Sequence, residues 1–407
     1  MNNARKFQLL LVLAAMLLIS GCQTISIDFT AAGDESPDEV AGEHAAQSQE
    51  EEFSLIPAGL LVNTGEEDAL TYVDASGQIV GDISTPGIVA AEIDDAALGG
   101  RVVSGETFTE LVYRAWTPEQ ALMVNINGKI STLRSSNTFL ALAASPDGAL
   151  AFAEVRMTSD NYPHGYLYAG TIETIANTGS FYDLVDAPNY MVITPVAVES
   201  TAGEPQGVFY TKAAWGIGGA DLIFPINRGL YFFDLTSGDN MQVISEDRSF
   251  QGISPDMSMS GYVDYDLNGN RSMTVRSIQN GTDINFPLDP KSDRGAGFAV
   301  FSPDNGHTAW LEAAGSMISD PYDFQPFVRI GEISSGEVVH VIDDAMARDA
   351  LNAPLVTFMR PAGWLTNDTL LVEVRGENWS DASLLSYNIS TGDLSVFTSG
   401  SFVGFAY

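Results

Sequence analysis

Cysteine and basic residues are almost missing from this chain. The single cysteine, Cys22, excludes a disulfide framework and a cysteine-built zinc site. Lysine occurs only at Lys6, Lys129, Lys212 and Lys291, and 18 basic residues stand against 53 acidic ones, with no cluster to bind nucleic-acid phosphates. The four histidines are scattered, with no H-x-x-x-H pair, and no G-x-S-x-G elbow occurs. Neither a zinc site nor a Ser-His-Asp set can therefore be assembled from spacing. Gly216-Ile217-Gly218-Gly219 leads into neither a G-K-[ST] pattern nor a helical one, so a phosphate cradle is not expected. After Ile19 no helical-period stretch exceeds about 12 residues. The formal charge of −35 is read first as a solvating surface, and second as a seat for a basic partner.

What the chain does have begins with Arg5 and Lys6, followed by an apolar run from Leu9 to Ile19. That run has the length of a secretory signal and is too short to span a membrane. Ile19-Ser20-Gly21-Cys22 then resembles the lipobox of bacterial lipoproteins, which implies cleavage before Cys22 and a lipid on it. An ordinary signal peptide with a chance cysteine is the alternative. Gln23 stands where the Gram-negative pattern for inner-membrane retention has Asp, so the resemblance implies the outer membrane if the organism has one. Residues 23–54 hold nine acidic residues and neither Lys nor Arg, too little apolar material to offset ordering entropy. The expected division is 1–22 signal peptide and lipidated Cys, 23–54 disordered acidic linker, and 55–407 folded array.

The array shows in two repeated turns. Ser145-Pro146-Asp147-Gly148 joins the apolar runs LALAA and ALAFAEV; Pro146 pre-sets φ, Asp147 caps its own backbone, and Gly148 supplies a positive φ. Further copies are Ser254-Pro255-Asp256 and Ser302-Pro303-Asp304-Asn305-Gly306, with a degraded one at Thr366-Asn367-Asp368. The second turn, of S-T-G-D form, is centred on Gly77, Gly128, Gly179, Gly238, Gly281, Gly336 and Gly392, between 43 and 59 residues apart. That is the period of propeller blades with variable loops. The spacing predicts an all-β, seven-bladed β-propeller, six or eight blades being the alternatives. Each blade has strands a to d, with the S-P-D turns between a and b and the S-T-G turns between c and d. Blade 1 has no strand a of its own, and the spare run Phe402 to Tyr407 is expected to fill the gap and close the ring.

At these motifs the sequence resembles the TolB-like, or PD40 (WD40-like), class of propellers, most specifically at Ser145–Gly148 and Ser302–Gly306. The resemblance covers most of residues 100–407 and implies a binding propeller in the periplasm or at the cell surface. TolB itself has an α/β domain ahead of its propeller, so its role does not carry over.

In this parse the b-c and d-a connections share one face, and the long b-c loops carry Tyr162, His164, Trp215, Phe224, Tyr322 and Trp379. Aromatic residues on loops held by a rigid scaffold point to a binding surface for a protein, peptide or glycan; the alternative is that they pack their own loops. Asp264, Asp266, Asn268 and Asn270 match the first half of a calcium loop, but Val275 stands where an EF-hand needs its bidentate Glu, and an Asn-Gly hairpin turn is the preferred reading. The expected function is that of a lipid-anchored, monomeric, non-catalytic binding scaffold without a cofactor. The alternative is a hydrolase or lyase working in the central funnel, with calcium.

Overall fold

A computed structural model describes residues 55–87, 99–103, 107–116, 120–136, 140–157, 163–171, 174–175, 182–186, 191–214, 227–265, 271–315, 324–377 and 381–407. Chain order runs β1 (Gly59–Asn63), β2 (Ala69–Asp74), β3 (Ile79–Ser84), β4 (Gly99–Val103), β5 (Thr107–Trp116), β6 (Gln120–Ile126), β7 (Lys129–Ser136), β8 (Leu140–Ala144), β9 (Ala149–Met157), β10 (Pro163–Thr171) and β11 (Tyr182–Asp186). It continues with β12 (Met191–Thr201), β13 (Glu204–Ala214), β14 (Arg228–Asp234), β15 (Asn240–Ile253), β16 (Met259–Tyr265), β17 (Arg271–Ser277) and β18 (Asp283–Pro287). The last third holds β19 (Gly295–Phe301), β20 (His307–Ala314), β21 (Gln325–Glu332), β22 (Glu337–Asp343), helix α1 (Asp344–Leu351), β23 (Phe358–Trp364), β24 (Thr369–Arg375), β25 (Ala382–Asn388), β26 (Asp393–Ser399) and β27 (Ser401–Ala406).

Among the described residues these strands form six hydrogen-bonded sheets. Five are four-stranded, β27-β1-β2-β3, β4 to β7, β8 to β11, β19 to β22 and β23 to β26, and the sixth runs through seven strands, β12 to β18. In the long sheet β15 serves twice. Its first part, Asn240 to Ile244, pairs with β14; after the stretch Ser245 to Arg248, its second part, Ser249 to Ile253, pairs with β16. Counting β15 in both halves gives two further antiparallel four-strand units.

In the first and last units burial falls from the inner strands to the last strand. β1 is buried throughout and β24 nearly so, whereas β3 and β26 are largely exposed. The first strands of neighbouring units touch, β8 with β12, β15 with β19, β19 with β23, and β27 with β4, so they lie innermost. The core is correspondingly divided into clusters between neighbours. Val112, Leu122 and Val124 meet Leu150, Phe152 and Tyr168 between the second and third units. Within the long sheet, Phe209, Leu230 and Ile244 meet Phe250 and Tyr262 across the break in β15. Each fully buried Leu or Phe there contributes roughly 1.5–3 kcal/mol.

The ring closes as the sequence predicts: β27 pairs antiparallel with β1, Leu60 opposite Phe405 and Val62 opposite Phe402. Phe402 and Phe405 also pack with Leu371 and Leu384 of the preceding unit. Phe405 lies so close to Gly363 that a Cβ there would stand 2.3 Å from the ring, and only glycine leaves room for the closing strand.

Candidate functional face

The two ends of the strands differ in chemistry. At the tight-turn end the S-P-D motif works through its serine. Ala149 N–H donates to Ser145 Oγ (2.8 Å), Met259 N–H to Ser254 Oγ (2.9 Å) and His307 N–H to Ser302 Oγ (2.9 Å). The hydroxyls of Ser254 and Ser302 donate in turn to Asp256 (2.6 Å) and Asp304 (2.7 Å). The positive φ falls on the fourth position of each copy, Gly148, Met257 and Asn305, and Gly306 lies one place beyond it. The aspartates also tie one turn to the next. Gly203 N–H and the Ser200 hydroxyl donate to Asp147, and Asn305 Nδ2 donates to Asp256 (2.7 Å). Burial pushes the carboxyls of Asp147 and Asp256 up, but their hydrogen bonds to Ser145 and Ser200, and to Ser254 and Asn305, outweigh it and hold both below the usual range. At the c-d turns, Gly77, Gly128, Gly238, Gly281, Gly336 and Gly392 all have φ between 69° and 89°, which their turns require; Gly179 lies outside the described residues.

At the opposite end, where b-c and d-a connections meet, strand b repeatedly carries a buried carboxylate. Glu312 is fully buried and accepts from Trp310 Nε1 (2.8 Å), Arg329 Nη1 (2.9 Å), Ser292 Oγ (2.6 Å) and Asp289 N–H (2.8 Å). Glu373, also fully buried, accepts from Arg360 Nη2 (3.0 Å) and Arg375 Nη2 (2.7 Å). Glu154 accepts from Arg134 Nε, from Arg134 Nη2 (2.9 Å) and from Arg156 Nη2 (2.8 Å) and Nε (3.0 Å). Burial pushes the Glu154 carboxyl up, yet the Arg134 hydrogen bond and both guanidinium charges outweigh that and keep it ionised. Aromatic rings lie under the cations: Arg156 over Tyr166 at 4.8 Å, Arg248 over Tyr262 at 4.6 Å, and Lys212 over Tyr231 at 3.9 Å. Charge, ring and carboxylate thus fasten the strand ends from which the long loops leave.

Of the six aromatic loop residues expected to bind, only His164 lies among the described residues. It is half-buried on β10, opposite Arg156, with its ring 6.3 Å from Tyr166. Tyr162, Trp215, Phe224, Tyr322 and Trp379 lie outside the described residues, as do Cys22, Asp266, Asn268 and Asn270. Asp264, the remaining calcium candidate, is on β16 with Arg248 Nη2 3.5 Å from its carboxylate. Among the described residues no group of three or more His, Cys, Asp or Glu could hold a metal. Also among them, no helix is long and apolar enough to cross a membrane.

Sequence reasoning passed over the buried carboxylates. A signal existed: Glu154, Glu312 and Glu373 each stand four or five positions after the start of strand b, at Ala149, His307 and Thr369, and each interrupts an apolar run.

No family model matches the sequence, and no curated protein does. Among solved structures, a prolyl endopeptidase superposes with a TM-score of 0.52 at 9% identity, over 86% of this chain and 51% of its own. The fold is a β-propeller. The periplasmic gluconolactonase of Pseudomonas aeruginosa matches at a TM-score of 0.47 and 14% identity, covering 86% of this chain and 99% of its own. TolB from Acinetobacter baumannii matches at 0.40 and 13%, over 68% and 61%. The chain thus spans about half the length of that prolyl endopeptidase and under two thirds of that TolB. At such identities the likeness is one of fold alone.

Proposed function

We propose that this protein is an extracytoplasmic, lipid-anchored, seven-bladed propeller that binds a protein, peptide or glycan partner through its b-c and d-a face and carries out no catalysis of its own. The observation that supports this reading is the difference between the two ends. The tight-turn end spends its polar side chains on bonds within and between the turns. At the other end, Glu154, Glu312 and Glu373 fix the strand ends, and the long loops bearing Trp215, Tyr322 and Trp379 leave from that rigid rim. In this reading Cys22 carries the lipid, residues 23–54 are the tether, the partner is not a nucleic acid, and the propeller works as a monomer without a cofactor. Membrane capture follows from the anchor, because the acidic tether offers no amphipathic face.

The test is a pull-down from the source cells with the tether intact, in parallel with the Cys22→Ser variant. The reading predicts a recovered partner, and membrane pelleting that Cys22→Ser abolishes. Pelleting that persists in the Ser variant after a salt wash rules out the lipid anchor.

A further inference from the structure

The first unit is built from both ends of the folded region: its strand a is β27 and its strand b is β1. That pairing fixes where the chain enters the ring. β27 and β1 are antiparallel, with Gly59 opposite Ala406 and Asn63 opposite Ser401. Ala58 N–H donates to Ala406 O (2.8 Å), and Ala75 N–H, in the c-d turn of the same unit, donates to Ala58 O (3.1 Å). Ala58 therefore sits at the tight-turn end, where other units have their S-P-D turns. The far end of β1 is marked by Thr85 N–H donating to Asp68 O (2.7 Å), a bond between the d-a and b-c connections of this unit.

Pro57 is buried against the turn end, and Ile56 just outside it is 48% exposed. Residue 55 lies within about 10 Å of Ala58 whatever direction the chain takes. Everything N-terminal of the ring thus reaches it from the tight-turn side. To bring the loop end against the lipid, the chain would have to pass round the rim and along the height of a strand, about 27 Å for the eight residues of β20. At full extension residues 23–54 span about 110 Å, so such a detour fits within their reach but restricts the conformations open to them, which costs entropy. The arrangement with the tight-turn end nearest the lipid needs no detour. That end also gives up little by facing a membrane, since its serines and aspartates are bonded to one another.

We propose that the lipid holds this propeller by its tight-turn end, so that the loop end faces away from the bilayer and meets a partner that is not embedded in that bilayer. The proposal rests on the lipid anchor and the working face proposed above, and it adds the direction of that face and the kind of partner it reaches.

The experiment places a fluorophore at either end of one unit in the lipidated full chain. Cys22 is the one cysteine and carries the lipid in this reading, so Gln279→Cys, at the c-d turn of the fifth unit, and Lys291→Cys, at the d-a connection that follows, each supply a single free thiol on an exposed residue. The labelled chains are reconstituted in phosphatidylcholine vesicles that contain an acceptor dye; these carry no net charge, so the chain's −35 does not set the orientation. Unchanged circular dichroism and melting midpoint verify the fold. The two labels differ by about 20 Å along the strand direction, so transfer from the Gln279 position is expected to exceed that from the Lys291 position by about twofold or more. Deleting residues 31–50 cuts the reach of the tether to about 40 Å and is expected to hold or widen the ratio. Equal transfer from both positions, or more from Lys291, would overturn the proposal with the anchor intact. Vesicles that capture neither labelled chain would overturn the anchor and the proposal with it. Recovery in the pull-down of a partner that is itself an integral protein of the same bilayer would overturn the kind of partner inferred here.

Discussion

At the tight-turn end Ser145, Ser254 and Ser302 each take a backbone N–H from the start of strand b, and neighbouring aspartates bridge to the next turn. At the loop end the corresponding work is done by Glu154, Glu312 and Glu373, each buried and each clamped by at least one arginine. The first solution is polar, built within each turn from residues two to five positions apart and extended from turn to turn by the aspartates. The second is ionic and long-range, joining residues on different strands and, for Arg134 and Glu154, on different units. A turn closed by its own residues can repeat with little variation, and its spare aspartate oxygens can bond to the next turn. A strand end fixed by buried charge pairs leaves the loop above it free to vary. The same four-strand unit therefore has one end suited to holding the ring together and one suited to presenting side chains.

The largest effect is expected where both ends depend on one frame. Deleting residues 402–407 leaves β1 with an unpaired edge and removes Phe402 and Phe405 from their cluster against the last unit, so a large part of the ~5–15 kcal/mol typical of a domain should be lost, or the protein should aggregate. A truncated chain that melts with the parent would show that closure does not hold the ring.

Next in size comes the loop end. Glu373→Gln removes the buried carboxylate that pairs with Arg360 and Arg375, whose side chains are 17% and 10% exposed, and should cost about 3 kcal/mol in urea unfolding. A loss under about 0.5 kcal/mol would mean that the charge layer is not what fixes the strand ends.

At the tight-turn end the change should be smaller. Ser254 is buried, and Ser254→Ala removes an acceptor for Met259 N–H and a donor to Asp256, so about 1 kcal/mol is expected. The pH dependence separates the ends further. The folded carboxyls of Asp147 and Asp256 lie below their unfolded value of about 3.9, so their contribution is complete above that pH and is lost as pH falls through the lower folded values. Asp256→Asn should therefore flatten the stability curve below about pH 4; an acid limb identical to the parent's would remove the aspartate ties from the account.

How far the sequence reveals this difference follows from the range of the interactions. The S-P-D and S-T-G turns are local, so Ser145, Pro146, Asp147 and the turn glycines announce themselves, and so does the spare strand that becomes β27. The double use of β15 does not, because Ser245 to Arg248 carry no turn signal to separate two strands. The buried glutamates are hidden for another reason. A lone acid in an apolar strand reads as an ordinary outward-facing residue until the fold brings Arg134 to Glu154 and Arg360 to Glu373. Of the candidate sites, His164 is set opposite Arg156 only by the pairing of β10, and Asp264 is brought beside Arg248 only by the fold.

The comparison is tested most directly by measuring partner affinity for alanine variants at both ends, once a partner is recovered. Trp215→Ala and Trp379→Ala should each weaken binding by more than about 1 kcal/mol with the melting midpoint unchanged, since buried aromatic anchors dominate interfaces. Asp239→Ala and Asp393→Ala, both at c-d turns, should leave affinity within about 0.5 kcal/mol of the parent. Loss concentrated at Asp239 and Asp393, with Trp215 and Trp379 silent, would place the working surface on the tight-turn end and contradict the account.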